Sequence, residues 1–311
     1  MPTQSEPAPR GEWAARTTDT SKRSVFGNYR AEGAPALGPA SSEATPQRAG
    51  FETGAPLQSA IDLAVARSFI HRWLAKAYED PMPETWRWLT QAQTIYSLRA
   101  ANVFAGQSLL PSAETMINAL QPGGFDSFFN AYLAAFGHAA RGSCPLNEIE
   151  YGDIKADPLF QPHRLADLAA FYRAFGLEVT EDAGERQDHL CLELEFMCVL
   201  AAKEAYAHEH QLDADQFAQC RDAQKKFLRE HLGRWTPAFA RRLAAATNDP
   251  ALRALAEFTR AFIESECVRF GVNPGSEELS LRPVDEVADR ACDSCGLNDL
   301  PPGALVAEVA T

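Results

Sequence analysis

The segment at residues 185–200, ERQDHLCLELEFMCVL, constrains the fold of this chain more than any other stretch. Once past its charged beginning, apolar side chains occupy most of the circumference that a helix here would have: Leu190, Leu192, Leu194, Phe196, Met197, Cys198, Val199 and Leu200. A helix that is apolar nearly all round is normally buried. We therefore expect this helix to lie at the centre of a helical core.

Polar residues at the beginning of this helix suggest a more specific role. Asp182 with Glu185 three residues later predicts an acidic N-cap, because a capping carboxylate accepts an otherwise unpaired backbone N–H. Asp188 and His189 are then expected at the exposed start of the helix, where they either cap and pack locally or meet an incoming peptide. Glu193 and Glu195 lie deeper, and an unpaired buried carboxylate is costly, so we expect each to be paired or to face a cleft.

Helical spacing recurs through the rest of the chain, whereas alternating β patterns are nowhere sustained. One set of apolar residues repeats every four positions and another forms an aromatic face assigned to the core: Leu57, Ile61, Val65, Phe69 and Trp73, then Phe125, Phe128, Phe129, Tyr132 and Phe136. The fold class is therefore predicted to be all-α. A glycine- and proline-containing loop at residues 137–162 divides the chain, and loops this long inside compact domains are often functional.

Composition divides the chain into three parts. Residues 1–55 are rich in Ala, Pro, Ser, Thr and Gly and are predicted to be a disordered N-terminal tail. Residues 56–273 form the helical domain, and residues 274–311 form an irregular C-terminal extension that folding should not require. This extension carries Cys292 and Cys295 in a CxxC pattern, which is half of a zinc site and leaves a metal or redox role open beside that of an adventitious pair.

Charge and motifs exclude several functional classes. A net charge of −13 and a pI near 5.0 argue against nucleic acid as a partner and favour a basic peptide segment. No run of about 18 apolar residues predicts membrane insertion, and no apolar leader marks the chain for export. Seven cysteines without a disulfide-scaffold pattern suit the cytoplasm. The chain has no nucleophile elbow and no phosphate-binding loop, so we expect neither an enzyme nor a bound cofactor.

Three stretches of the chain share a pattern with one known family. The first is residues 185–200, with E-x-x-D-H followed by E-L-E-F-M; the second is residues 144–179, CPLNEIEYGDIKADPLFQPHRLADLAAFYRAFGLEV, a proline-containing loop and a helix; the third is residues 227–243, FLREHLGRWTPAFARRL, with F-L-x-x-H-L-x-x-W. In this order the stretches resemble the TorD/DmsD/NarJ group of cytoplasmic chaperones, which mature molybdenum oxidoreductases of the dimethyl sulfoxide reductase type.

The resemblance implies a fold, a function and a set of partners. The fold is a single bundle of about ten helices, and the protein is a monomer or homodimer. The function is to bind the twin-arginine signal peptide and the apo-form of a molybdenum oxidoreductase catalytic subunit, and to assist insertion of the bis-molybdopterin guanine dinucleotide cofactor before export. The peptide-binding candidates are Pro145, Glu148, Glu150, Tyr151, Asp153, Asp188, His189 and Trp235.

Two further expectations complete the interpretation. The EYG continuation after the proline-containing loop looks more like accessory proteins of ethylbenzene, dimethyl sulfide or selenate type enzymes than like the nitrate reductase branch. The alternative function is a helical protein-interaction or regulatory protein that responds to metal or redox state through Cys292 and Cys295.

Overall fold

The computed structural model describes residues 54–137, 143–152, 160–179 and 185–282. These ranges contain ten α-helices and no strand: α1 Gly54–Tyr78, α2 Pro83–Thr90, α3 Ala92–Ala105, α4 Leu110–Ala119, α5 Phe125–Phe136, α6 Phe160–Ala174, α7 Leu190–Glu209, α8 Ala214–Glu230, α9 Leu232–Ala246 and α10 Pro250–Arg269. The all-α fold class and the expected number of helices are confirmed. Residues 1–53 of the tail predicted at residues 1–55 lie outside the described residues, as do Cys292 and Cys295, and the last two residues of that range belong to α1.

Helix α7 is the central element of the core, as its sequence predicts. Its residues from Leu190 to Ala201 are buried except Glu195, which is half-buried. The most extensive helix contact in the described structure is between α7 and α1, and α7 also packs against α8 and α9. Fully buried side chains such as Leu194 and Phe196 each contribute about 2 kcal/mol relative to an exposed position.

The start of α7 differs from the sequence-based expectation. The helix begins at Leu190, and its N-cap is His189 rather than an acidic residue. Asp182 lies outside the described residues, and Glu185 belongs to the irregular segment before the helix. The pattern was misleading because the backbone at His189 is extended and forms a bridge with Asn147, which delays the helix until Leu190.

A second group of helices packs around α10. This helix contacts α9 most extensively and also α4, α5 and α8. The aromatic face predicted on α5 lies in the core, with Phe128, Tyr132 and Phe136 buried and the Phe128 ring 4.8 Å from that of Trp86. The core assignment of this face is therefore correct for these three residues, whereas Phe125 and Phe129 are half-buried at its edge.

A buried arginine connects four helices of the bundle. Arg67 of α1 donates to Glu266 of α10, to Glu204 of α7 at 2.7 Å and to Gln224 of α8 at 2.5 Å. All four side chains are buried. Because a buried ion pair that loses one partner leaves an uncompensated charge, this cluster fixes the relative positions of the helices that contribute to it.

The described chain continues to pack on the domain beyond Asn273. After α10, residues 274–282 return to the start of α9, where the N–H of Gly275 donates to the carbonyl of Gly233 at 2.9 Å. A Cβ at Gly275 would overlap the carbonyl oxygen of Arg234, so this close approach requires glycine. These contacts extend past the domain boundary expected at residue 273. That boundary was placed by the loss of a periodic apolar face, and backbone contacts leave no such signal.

Hydropathy along the described helices is moderate. Within these ranges no helix is both long enough and apolar enough to cross a membrane.

Candidate functional site

The loop at residues 144–152 lies against the start of α7 and contacts Trp235 of α9, so the structure brings together all three stretches singled out in the sequence. The N–H of Glu148 donates to the carbonyl of Asp188 at 2.9 Å, and the N–H of Leu190 donates to that of Leu146 at 2.8 Å. Between them, Asn147 and His189 form an antiparallel bridge. Pro145, Glu148, Glu150, Tyr151, Asp188 and His189 therefore belong to one compact region, with Trp235 packed beneath it. Asp153 lies outside the described residues.

Asp188 is fully buried, whereas the sequence predicted an exposed position. Its carboxylate accepts the backbone N–H of Ile149 at 3.0 Å and the side chain of Asn147 at 3.2 Å. The guanidinium of Arg186 donates to it at 2.6 and 3.1 Å. Four donors therefore surround one carboxylate, and the side chain fastens the loop to the start of α7.

His189 is also buried, and it caps α7. Its Nδ1 accepts the backbone N–H of Cys191 at 3.3 Å, which requires that this nitrogen carry no proton. Burial lowers the pKa of His189 to about 4, with the positive charge of Arg186 adding to the effect and Asp188 opposing it. The ring is therefore neutral near pH 7, with its proton on Nε2, the nitrogen that lies 3.5 Å from Glu185.

Glu148 is the centre of a buried ion cluster made with α6 and α9. Its Oε2 lies 2.8 Å from Nδ1 of His231, and its Oε1 lies 3.1 Å from Arg234 and 3.3 Å from Arg164. Burial alone would raise the pKa of Glu148, but His231 and the two guanidinium groups outweigh it and lower the pKa. The second nitrogen of His231 lies 3.2 Å from Asp167. Glu148 is thus an ionised carboxylate whose two oxygens are both held by its own chain.

Glu193 differs from Glu148 in lacking a cation at hydrogen-bond distance. Its Oε2 accepts the indole N–H of Trp235 at 3.1 Å, and within the described structure its buried Oε1 has no hydrogen-bond partner. Burial, followed by the negative charge of Glu148, raises the pKa of Glu193 well above the usual range. The expectation that this carboxyl group would be paired is met at one oxygen only, and we describe the group as a neutral acid.

Tyr151 and Trp235 support the region from inside. Both side chains are fully buried, with their rings 5.1 Å apart, and the hydroxyl of Tyr151 donates to the carbonyl of Pro145 at 2.9 Å. Neither ring reaches the surface, and whether Tyr151 and Trp235 contact a client stays a prediction.

Glu150 lies nearest the surface cations of the region. Its carboxylate is 3.5 Å from Arg186 and 3.6 Å from Arg282, and these two arginine side chains are 42% and 28% exposed. Charge-assisted hydrogen bonds are normally 2.7–2.9 Å long. Both arginines therefore stand at the outer range of an ion pair with Glu150, whose own side chain is buried at 6% exposure.

Several residues of the region escaped the sequence analysis. His231 and Arg234 occur inside the quoted F-L-x-x-H-L-x-x-W stretch but were not selected, and Arg164 and Arg186 lie in the other two stretches. These four residues could have been found from the rule that buried acids need hydrogen-bond donors. Applied to Glu148 and Asp188 as buried acids, the rule calls for nearby basic residues. Among the residues that the structure describes, no group of three or more His, Cys, Asp or Glu could hold a metal ion.

Known proteins match the part of the chain that contains this region. A family model described as the nitrate reductase delta subunit matches residues 107–241, which include the loop, the start of α7 and the cations of α9. A selenate reductase assembly chaperone protein of Thauera selenatis is 38% identical over 145 residues, or 45% of this chain and 72% of the relative.

Other relatives match over shorter shares of their length. A perchlorate reductase assembly chaperone protein of Dechloromonas aromatica is 29% identical over 142 residues, covering 45% of this chain and 60% of the relative. The chaperone protein TorD of Vibrio cholerae is 29% identical over 119 residues, covering 38% of this chain and 52% of the relative. The matched part is thus less than two thirds of either of these two relatives.

Proposed function

Because the chain belongs to the TorD/NarJ family of redox enzyme maturation proteins, we propose that it is a system-specific chaperone for the catalytic subunit of a molybdenum oxidoreductase. It binds the apo-subunit and its twin-arginine leader in the cytoplasm and assists cofactor insertion before export. The observation that carries the proposal is the family match at residues 107–241, which spans the whole ion cluster. The family's members are named as chaperones and not as catalysts, and the chain is not an enzyme.

Glu148, Glu150 and Asp188 are all buried, so arginine recognition in this region depends on which carboxylate can exchange its present cation for a leader arginine. A guanidinium group donates in a planar fork that suits a carboxylate, so a leader arginine needs an acid that can turn toward it. Glu148 is held by Arg234 at 3.1 Å and Arg164 at 3.3 Å, and Asp188 is held by Arg186 at 2.6 Å. The cations beside Glu150 are farther away, at 3.5 and 3.6 Å. Glu150 is therefore the acid to which we assign the first contact with the leader.

The overall charge supports the same partner. With a net charge of −13, the chain attracts a basic leader at long range, and this attraction raises the association rate more than it lowers the dissociation rate. We propose that the client is an oxyanion reductase of the molybdenum class, since relatives are named for selenate, perchlorate and chlorate reductases. The EYG sequence at residues 150–152 agrees with the selenate type.

The alternative regulatory function works through Cys292 and Cys295, which lie outside the described residues. Nothing in the described part favours it.

We propose that the chaperone domain extends to Arg282, because residues 275–282 pack on the loop and on α9.

Calorimetry with the full chain tests the proposed function. The ligands are the leader peptide of a molybdenum oxidoreductase encoded in the same genome and a version with both arginines changed to lysine. Each lost guanidinium contact should weaken binding by about 1.5–3 kcal/mol, because lysine cannot form the planar fork. Equal affinity for the two peptides, or binding of neither, would contradict the proposal.

A further inference from the structure

A segment of the chain occupies the edge of the loop that carries Glu150. We call residues 276–282 the strap. The N–H of Gly152 donates to the carbonyl of Ser280 at 3.0 Å, and the N–H of Arg282 donates to the carbonyl of Glu150 at 2.9 Å. Tyr151 and Leu281 lie opposite each other in an antiparallel bridge between these bonds. The strap therefore pairs with the loop as an added β-strand would.

The side chains of the strap alternate in the way an extended peptide requires. Leu279 and Leu281 are half-buried against the core, and Ser280 between them is exposed. Arg282 follows, with its Nε 3.6 Å from the Glu150 carboxylate. Main-chain pairing with pockets for alternate side chains is how proteins bind extended peptides. The loop edge thus offers two backbone bonds, an apolar contact and an acid to a short apolar segment that contains an arginine.

The attachments of the strap differ in strength along its length. At its base, Gly275 is wedged against the backbone of Gly233 and Arg234. Beyond that point, Glu277 pairs with Arg260 and Glu278 with Arg241. These side chains are 38% or more exposed, and exposed ion pairs contribute little to stability. The base is therefore fixed, whereas the exposed ion pairs of the outer part add little to its attachment, and separation at Arg282 uncovers the buried carboxylate of Glu150 for another cation.

We propose that the edge at residues 150–152 is the docking site for an extended, arginine-bearing segment of the client leader, and that Leu281 and Arg282 occupy this site until the leader replaces them. The inference rests on the proposed function and adds the site and the mode of binding. The strap has the features of such an occupant, because its Arg282 lies beside Glu150 on a backbone that pairs with the loop. The strap is an internal competitor, so the measured affinity for the leader is the intrinsic affinity reduced by the open fraction.

Two truncations of the chain separate the strap from everything that follows it. One removes residues 283–311 and the other removes residues 279–311, so they differ only by Leu279, Ser280, Leu281 and Arg282. If the strap is closed about nine tenths of the time, its removal should tighten leader binding about tenfold, while the shorter deletion serves as the reference.

A point substitution tests the same contact without a deletion. Arg282→Gln removes the pair with Glu150 and should tighten leader binding in the same direction by about threefold. Arg99→Gln is the matched control, because it also removes one positive charge but its partner is Glu114. Any gain that Arg99→Gln shows is due to net charge alone and is subtracted.

Amide hydrogen exchange on the full chain reports replacement directly. When the leader binds, the Arg282 N–H loses its acceptor, the carbonyl of Glu150, and should exchange up to about tenfold faster if the strap is closed about nine tenths of the time. The Gly152 N–H should stay protected, because the leader carbonyl takes the place of Ser280. This opposite behaviour of two paired amides distinguishes replacement from general loosening.

The outcomes separate this inference from the proposed function. If the full chain binds the arginine leader but neither strap removal nor Arg282→Gln alters the affinity, and both amides stay protected, the leader binds elsewhere and the inference is wrong. If the leader binds no form of the chain, including the one lacking residues 279–311, the proposed function fails and the inference fails with it.

Discussion

The carboxylate of Asp188 accepts the backbone N–H of Ile149 at 3.0 Å, although the two residues are 39 positions apart in sequence. The carbonyl of Asp188 also accepts the N–H of Glu148. One residue thus satisfies two consecutive backbone donors of the loop, and the loop cannot keep its position without it.

Asp188→Ala should therefore be more costly than the loss of an ordinary helix cap. The substitution leaves the buried Ile149 N–H without its acceptor and leaves the Arg186 guanidinium with the longer contact to Glu150, and we expect the free energy of unfolding to fall by about 2–4 kcal/mol. Asp213→Ala is the matched control, since Asp213 caps α8 at an exposed site and its loss should cost about 1 kcal/mol. Urea denaturation of both variants measures the difference. Equal losses would mean that the Asp188 contacts do not hold the loop.

Glu193→Gln should remove a pH dependence of the free energy of unfolding and should not remove a stabilising charge. Because burial raises the pKa of Glu193, the folded state holds this proton at pH values where the unfolded state has released it. Its contribution is complete below about pH 4.5 and is lost as pH rises, by at most about 1.4 kcal/mol per unit. The variant should lack this decline and match the wild type below pH 4.5. Denaturation curves between pH 4.5 and 8 test it, with Glu114→Gln as an exposed control. Parallel curves for Glu193→Gln and wild type would exclude a neutral acid.

His71→Phe should act in the opposite direction. Burial, with Arg67 adding and Glu266 opposing, lowers the pKa of His71 to about 4, and within the described structure its buried Nε2 has no hydrogen-bond partner. The stability linked to this neutral ring is present above about pH 6.5 and is lost as pH falls toward 4, by about 3 kcal/mol at most.

The phenylalanine ring can keep the edge contact with Phe262, now 4.8 Å between centroids, without an unpaired nitrogen. The variant should unfold at a lower pH than the wild type, followed by circular dichroism during acid titration. His163→Gln is the exposed control and should leave the midpoint unchanged. An unchanged acid midpoint for His71→Phe would show that His71 does not limit acid stability.

Gly275→Ala should destabilise the chain by about 1–3 kcal/mol, because the added Cβ overlaps the Arg234 carbonyl and forces the backbone apart. Gly123→Ala places its Cβ in open space and should be nearly neutral. Thermal melting of the two variants is the measurement. A loss no larger than that of Gly123→Ala would show that the base of the strap is not fixed.

The fold was predictable because the patterns that define its helices involve residues close in sequence. The chemistry of the site was harder to predict because its contacts join residues that are far apart in sequence. The apolar circumference of α7 and the aromatic face of α5 can be recognised from residues that are close together in sequence. By contrast, Glu148 meets His231 and Arg234 from more than 80 positions away. The sequence marked Glu148 as an acid for a peptide arginine and included His231 and Arg234 in a quoted stretch, but it did not show that these residues meet Glu148 in the fold.

The same limit explains the error at Asp188 and His189. Position at the head of a helix suggests exposure, but the loop at residues 144–152 covers this end of α7. A helix end is open to solvent only where no other segment pairs with it, and such pairing is set by tertiary structure. Whether the two residues also contact a client stays a prediction.

Arg234 contacts both the loop at residues 144–152 and the base of the strap. Its guanidinium holds Glu148 and the carbonyl of Tyr151, while its own carbonyl presses on Gly275. A shift of the first turn of α9 therefore changes the contact of Arg234 with Glu148 and its contact with Gly275 at the same time. The loop and the base of the strap are both held by Arg234. A ligand that displaces the strap far enough to move Gly275 should therefore also change the position of Arg234 relative to Glu148.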